Sequence, residues 1–346
     1  MEIIERAEGI FEVTLHDKEK EVAEIRIHIV KGKPGKRSLM VDAGFGNEES
    51  LRDMEEALSS LGISYDALDI FLTHKHHDHC GLASAFAKKG ARLFMNPEEE
   101  RHSYDCLYVQ TSEDSQREQK EVLKSVGISE EWTPKLWKRF MELNDWVAKK
   151  REPWVYIIQK YPYIPVKEGQ TFSYGDYDFW VIPLRGHTYG QMGLYDAKHR
   201  IAFTADQVLE GVTPIVGTTH ANEHLLELYF QSLSWIKREL GDCLILPGHN
   251  GPIEHVAPVV DQIVYSYIKK MDQVKKVITD GDSPKTVWQT AKAVYRIREI
   301  PEDGEAFIVM KSMISKTFSC LEYLSAQEMI KREFIDGRLC YGGNLK

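Results

Sequence analysis

Four times along this chain an apolar, strand-like stretch runs through a small or turn residue into a side chain able to bind a metal. The densest instance is Leu68-Asp69-Ile70-Phe71-Leu72, followed by Thr73-His74-Lys75-His76-His77-Asp78-His79-Cys80-Gly81, an H-x-H-x-D-H run. Tyr177-Asp178-Phe179-Trp180-Val181-Ile182 leads through Pro183-Leu184-Arg185-Gly186 to His187-Thr188. Arg200-Ile201-Ala202-Phe203-Thr204-Ala205 ends on Asp206, and Cys243-Leu244-Ile245-Leu246-Pro247-Gly248 ends on His249. Four strands ending on one edge place these side chains around a single point. Such a cluster rarely arises from packing alone. Imidazole and carboxylate with no thiolate suit zinc, iron or manganese.

With these residues in this order, the chain resembles the metallo-β-lactamase superfamily. Val41-Asp42-Ala43-Gly44 also resembles that family's upstream Val-Asp-x-Gly strand end. The likeness covers residues 10–96 and 166–256, and the tail more loosely. It implies an α/β fold, a four-layer αβ/βα sandwich with two metals at one edge. Carried over residue by residue, one metal takes His74, His76 and His187. The second takes Asp78, His79 and His249, with the Asp206 carboxylate bridging both. The expected cofactors are two divalent ions, zinc first, with iron or manganese as alternatives.

Two divalent cations about 3.5–4 Å apart share a water and lower its pKa towards neutrality. The expected chemistry is attack of that hydroxide on a carbonyl or phosphoryl centre. Asp78 is the candidate catalytic residue, orienting the hydroxide or carrying its proton to the leaving group. Asp42 and Thr73 read as hydrogen-bonding supports for the ligands, or equally as strand-end caps.

Composition enters through charge and cysteine. A formal net charge of −9 opposes long-range attraction to a polyanion, and no arginine-rich stripe is visible. Nucleic acid is therefore the second choice of partner, behind a small molecule with an apolar or aromatic portion. Five scattered cysteines suggest reduced thiols and a cytoplasmic location. Cys80, inside the metal run, reads as a wall residue rather than a ligand. No run of about 18 apolar residues suggests a membrane helix, and residues 1–8 lack the layout of a signal peptide.

At 346 residues the chain exceeds the usual single domain. The expected division is a catalytic domain over 1–256 and a mainly helical, winged-helix-like appendage over 257–346. Strands are expected at 10–15, 22–30 and 38–41, and a helix over 48–61, capped near Asn47 and ended by Gly62. A charged, helix-like insertion over about 97–165 carries Trp132, Trp137, Trp146 and Trp154, four of the seven tryptophans. It reads either as a lid with aromatics lining a substrate pocket or as a helical pair with its own core of Trp137, Phe140, Leu143 and Trp146. His220 and His224 read as surface or helix-end residues, with a proton shuttle as the alternative. His77 is expected to turn away from the metals. The tail is expected to hold helices at 259–279, 287–295 and 311–330, then a hairpin over 333–341 turning at Asp336-Gly337. A homodimer contact or a pocket wall is its expected role.

Branches of the family separate by residue. The flavodiiron branch has Glu where this chain has His76, and quorum-sensing lactonases carry Tyr where it has Leu209. The glutathione-binding basic residues of glyoxalase II are not recognisable here. Tyr189 stands where the family's Gly-His-Thr-Pro-Gly has proline. The leading expectation is a dinuclear metallohydrolase acting on an ester, thioester or related acyl substrate. A phosphodiesterase or ribonuclease on the same site is the alternative, and a metal-retaining ligand-binding regulatory protein the second.

Overall fold

Period-two burial organises the catalytic part of the chain. In Leu68–Leu72, the residues Leu68, Ile70 and Leu72 enter one apolar cluster with helical Met54, Ala57, Leu58 and Phe86, while Phe71 enters a second cluster with Phe172, Phe179 and Phe203. Both faces of the strand are thus covered, which its uninterrupted burial requires. The computed structural model describes residues 2–16, 24–101, 113–149, 161–281 and 283–343. Contacts divide the chain into two units: Met1–Ser103 with Lys150–Pro214 and Ser232–Val260, and Tyr104–Lys149 with Ile215–Gln231 and Asp261–Lys346.

In the first unit a seven-stranded sheet runs β1 (Ile3–Ala7), β2 (Ile10–His16), β3 (Glu24–Val30), β4 (Ser38–Val41), β5 (Leu68–Leu72), β6 (Arg92–Met95) and β7 (Ile164–Pro165), in chain order. Pairing is antiparallel up to β4 and parallel from β4 onward. Strand β1 is an addition to the elements expected from sequence. The second sheet holds β8 (Thr171–Tyr174), β9 (Tyr177–Pro183), β10 (Met192–Asp196), β11 (Ile201–Ala205) and β12 (Leu244–Pro247), ordered β12-β11-β10-β9-β8. Its pairs are antiparallel except β11 with β12. Helices α1 (Glu48–Ser60), α2 (His77–Cys80), α3 (Ala83–Lys88) and α4 (Pro97–Arg101) lie between strands of the first sheet in sequence. The Asn47 side chain caps α1 by accepting from the Ser50 amide at 2.8 Å, as its position before two glutamates predicts.

Asp69 shares the face of Phe71 but is charged, and it is only 1% exposed. It survives there because it accepts from Arg37 Nε at 2.7 Å, from Arg92 Nε at 2.7 Å and from the Tyr174 hydroxyl at 2.7 Å. The network ties β5 and β6 of one sheet to β8 of the other.

The second unit gathers α5 (Glu113–Ser125), α6 (Pro134–Lys149), part of α7 (Leu225–Glu239), most of α8 (Val256–Thr279), α9 (Val287–Val294) and α10 (Gly304–Ala326). A three-stranded sheet of β13 (Lys285–Thr286), β15 (Arg338–Gly342) and β14 (Lys331–Ile335) completes it, with β15 central. Asp336 and Gly337, both at positive φ, make the expected hairpin turn. The last helix is Gly304–Ala326 rather than 311–330. Asp303 caps its start by accepting from the Ala306 amide at 2.8 Å, and Glu328 at positive φ follows its end. The insertion's helices are not a pair closed on itself: Phe140 packs edge-on against Phe307 of α10 at 5.1 Å, and Arg139 Nε donates to the Pro301 carbonyl. Trp132 lies under the Arg338 guanidinium at 4.4 Å. Trp154 and the side chains of Leu143 and Trp146 lie outside the described residues. No helix among the described residues is long and apolar enough to cross a membrane.

Truncating Asp69 to Ala should leave Arg37, Arg92 and Tyr174 without their shared acceptor. The expected loss is on the order of 3 kcal/mol, the low end for a broken buried ion pair because Arg92 is half exposed. Urea unfolding would measure it, and a change below about 0.5 kcal/mol would show that the network contributes little.

Candidate metal centre

The C-terminal ends of β4, β5, β9, β11 and β12 are where the chemistry-bearing side chains leave the sheets. β5 ends at Leu72 and delivers Thr73 and His74; the single turn of α2 then presents Asp78 and His79. β9 leads to His187, β11 ends beside Asp206, and β12 leads through Gly248 to His249. Main-chain bonds hold the two sheets together at this edge, with Met192 N donating to Thr73 O at 3.0 Å and Arg26 N to Gly248 O at 2.8 Å.

All seven residues expected at the site converge there in two groups. His74, His76, His187 and Asp206 form one, and Asp78, His79 and His249 the other; within each, the donor atoms lie within 4.8 Å of one another. His76 Nδ1 stands 2.9 Å from both His74 Nε2 and His187 Nε2. Asp206 faces both groups. Its Oδ2 lies 3.5 Å from His187 Nε2, while its Oδ1 lies 3.2 Å from His79 Nε2 and 3.5 Å from His249 Nε2.

The remote ring nitrogens are fixed by hydrogen bonds, which sets which nitrogen each ring offers to the centre. His79 Nδ1 pairs with Asp42 Oδ2 at 2.7 Å, and His74 Nδ1 with the Thr73 hydroxyl at 3.0 Å. Asp42 Oδ1 also accepts from Thr73 N at 2.8 Å, so Asp42 and Thr73 support the ligand loop as one unit. His249 Nδ1 meets the Glu24 carbonyl at 2.5 Å. Glu24 escapes sequence reading because it acts through its main chain, which no residue pattern marks. Glu99, which in sequence is one more charge of the insertion, is also buried at this edge.

Two backbone features serve the convergence. Ala205, immediately before Asp206, has φ 45°, a left-handed conformation costing a non-glycine residue roughly 1–2 kcal/mol. Gly248 is needed for space: a Cβ there would stand 2.6 Å from His79 Cε1 and 3.0 Å from Asp206 Oδ1.

The donor set fits divalent cations. His79 Nε2 and Asp206 Oδ1 are buried and have no hydrogen-bond partner among the described residues, although they face each other. In the first group, burial and the neighbouring imidazoles hold His74 and His76 well below the usual histidine range, leaving them neutral and ready to donate lone pairs. In the second, burial would lower His79 and His249, but Asp206, with Asp42 and Asp78 beside His79 and Asp78 beside His249, raises them to about 10 and about 12. Burial would raise the Asp78 and Asp206 carboxyls, yet the adjoining histidines keep both well below the usual range.

Other histidines stay apart. His77 belongs to neither group. His220 lies 3.5 Å from Glu223 and 3.6 Å from Glu118, and His224 lies 3.8 Å from Glu227, all in the second unit. Cys80 is 4% exposed and part of the apolar core, and burial raises its thiol to about 12, which suits packing rather than ligation.

In chelator-stripped protein at pH 7, both His79 and His249 should carry a proton that a cation must displace. Uptake there should release roughly two protons and weaken as pH falls from 8 to 6, whereas His74 and His76, held neutral, should release none. Calorimetry in buffers of different ionisation enthalpy measures this, and release of no protons would place both rings neutral beforehand. Gly248→Ala should displace His79 and Asp206 and weaken binding at the second group by about 10- to 100-fold; unchanged affinity would mean the loop yields without cost.

Comparison with known proteins identifies the family and the fold. The chain is 22% identical over 333 residues to the probable metallo-hydrolase YqjP of Bacillus subtilis (strain 168), covering 94% of this chain and 95% of that one. Its fold is similar to a metallo-beta-lactamase family protein, TTHA1429, from Thermus thermophilus, with TM-score 0.76, 19% identity and coverage of 98% and 99% of the two chains. It is also similar to a beta-lactamase domain protein from Burkholderia ambifaria, with TM-score 0.79, 18% identity and coverage of 99% and 94%. The profile of the metallo-beta-lactamase superfamily matches residues 27–249, from the middle of β3 to the last histidine of the centre, and the chain belongs to that superfamily.

Proposed function

We propose that this protein is a dinuclear metal-dependent hydrolase of a carboxylic ester, thioester or related acyl substrate. The single observation behind the dinuclear reading is Asp206, whose two oxygens face different donor groups. On this reading His74, His76 and His187 would hold one ion and Asp78, His79 and His249 the other, with Asp206 shared between them. Zinc is the first expectation, with iron or manganese compatible with the same nitrogen and oxygen donors. When bound, two such cations acidify water and polarise a substrate oxygen.

The chain's own residues supply orientation and proton handling. Asp42 and Thr73 keep the His79 and His74 rings turned so that Nε2 faces inward. Asp78 retains some exposure and turns Oδ2 towards His249 Nε2 at 3.4 Å; its Oδ1, 4.0 Å from His77 Nδ1, is the oxygen assigned to accept a proton and return it to a leaving group. Because its carboxyl is held well below the usual range, Asp78 starts ionised and acts first as acceptor. The name of the Bacillus relative, a probable metallo-hydrolase, supports hydrolysis in general. The net charge of −9 favours a small acyl substrate over a polyanion. A location in the cytoplasm and a substrate with an apolar or aromatic portion belong to the same proposal.

Elemental analysis combined with turnover of an aryl ester, an acyl thioester, a lactone and bis-p-nitrophenyl phosphate tests the reading. Two metals per chain with acyl turnover are expected. Asp206→Ala should lose stoichiometric metal and at least about 10³-fold in turnover, roughly 4 kcal/mol of barrier. Phosphodiester turnover alone would replace the acyl substrate with a phosphodiester, and full metal retention in Asp206→Ala would refute the bridge.

A further inference from the structure

The three-histidine group is assembled from two loops far apart in sequence, one carrying His74 and His76, the other His187. The Met192 N to Thr73 O bond joins the neighbouring strand ends at 3.0 Å, but the loops beyond them carry the histidines and need a tie of their own. One buried side chain touches both. Glu99, on α4 and 1% exposed, accepts from Lys75 N through Oε2 at 2.8 Å, between the two histidines of the first loop. Its Oε1 accepts from the Thr188 hydroxyl at 2.8 Å and from Gly190 N at 2.6 Å, directly after His187. Asn96, at the end of β6, reinforces the second contact by donating from Nδ2 to the Gly190 carbonyl at 2.7 Å. Space is tailored as well: a Cβ on Gly190 would stand 2.9 Å from Glu99 Oε1.

We infer that Glu99 is a positioning residue for the metal centre, a carboxylate clamp that sets the separation of the His74–His76 loop from the His187 loop. The inference rests on the dinuclear reading above and adds a residue outside its ligand set. All three partners are donors, so an acceptor-only carboxylate satisfies them without conflict. Gln, the same size, must turn its amide NH₂ towards one of those donors. Either orientation breaks one side of the clamp, and leaving a buried donor unsatisfied carries its full desolvation penalty. The Asp78, His79 and His249 donors are not reached by the clamp, so its loss should be felt on one side of the centre only.

The test titrates chelator-stripped full-length protein with Zn²⁺ against a chromophoric chelator, with thermal unfolding followed in parallel. Glu99→Gln is placed in wild type, in His249→Ala, which weakens the second group, and in His187→Ala, which weakens the first. We expect Glu99→Gln to weaken one wild-type site by about 10- to 100-fold, the scale for lost ligand supports. The same loss should appear in the His249→Ala background and be absent from His187→Ala. Thr188→Val, which removes one arm at nearly constant volume, should weaken the same site less and combine with Glu99→Gln less than additively. Equal weakening at both sites, or a lower unfolding temperature with neither affinity changed, would make Glu99 a general structural residue and overturn the clamp. Wild type binding fewer than two Zn²⁺ would instead overturn the dinuclear reading, and the clamp with it. If Glu99→Gln fails to fold, site-selective weakening in Thr188→Val supports the clamp, and unchanged affinities in that variant overturn it.

Discussion

Buried lone pairs that face one another repel, and a protein gathers them only where something positive can lie between them. This edge sets two imidazole nitrogens 2.9 Å from His76 Nδ1 and turns a carboxylate with one oxygen to each side. Much of the surrounding construction follows from holding that arrangement. Ala205 adopts a left-handed backbone to aim Asp206, Gly248 forgoes a side chain so that His79 and Asp206 come close, and Asp42 turns the ring of His79. Each feature carries a local cost that would have no return if the donors were not brought to one point.

The division of protonation across the centre has the same origin. Where imidazoles crowd one another, charge is disfavoured and the rings stay neutral; where carboxylates crowd imidazoles, protons are held. Asp206 belongs to both environments. Two donor groups that share one carboxylate are therefore chemically unequal before any ion binds, and their affinities should respond differently to pH.

Much of this is legible in the residues. The H-x-H-x-D-H run after an apolar strand and the three later strand-terminal ligands converge in the fold, and the helix capped by Asn47 begins at Glu48 as its pattern predicts. The hairpin turn at Asp336-Gly337 is equally plain, because few residues adopt two successive positive φ values. Other elements resist. Residues 3–7 carry too little alternation to mark a strand and owe theirs to pairing with β2. The last helix starts earlier than its apolar pattern suggests, because Asp303 caps it by accepting from the Ala306 amide, a contact that hydrophobic periodicity does not mark. The apolar face of α6 has a helical period, but periodicity does not name a partner, and Phe140 finds Phe307 far along the chain.

The sequence by itself determined which side chains could bind ions, the order in which strands deliver them, and the family to which the chain belongs. Those properties are local: a strand, a turn and a ligand type are written within ten residues. Only the tertiary structure decided which oxygen of Asp206 faces which donor group, and that a main-chain carbonyl at Glu24 and a carboxylate at Glu99 hold the loops. Those contacts join residues distant in the chain, and Glu99 looks like any surface glutamate until folding buries it among three donors.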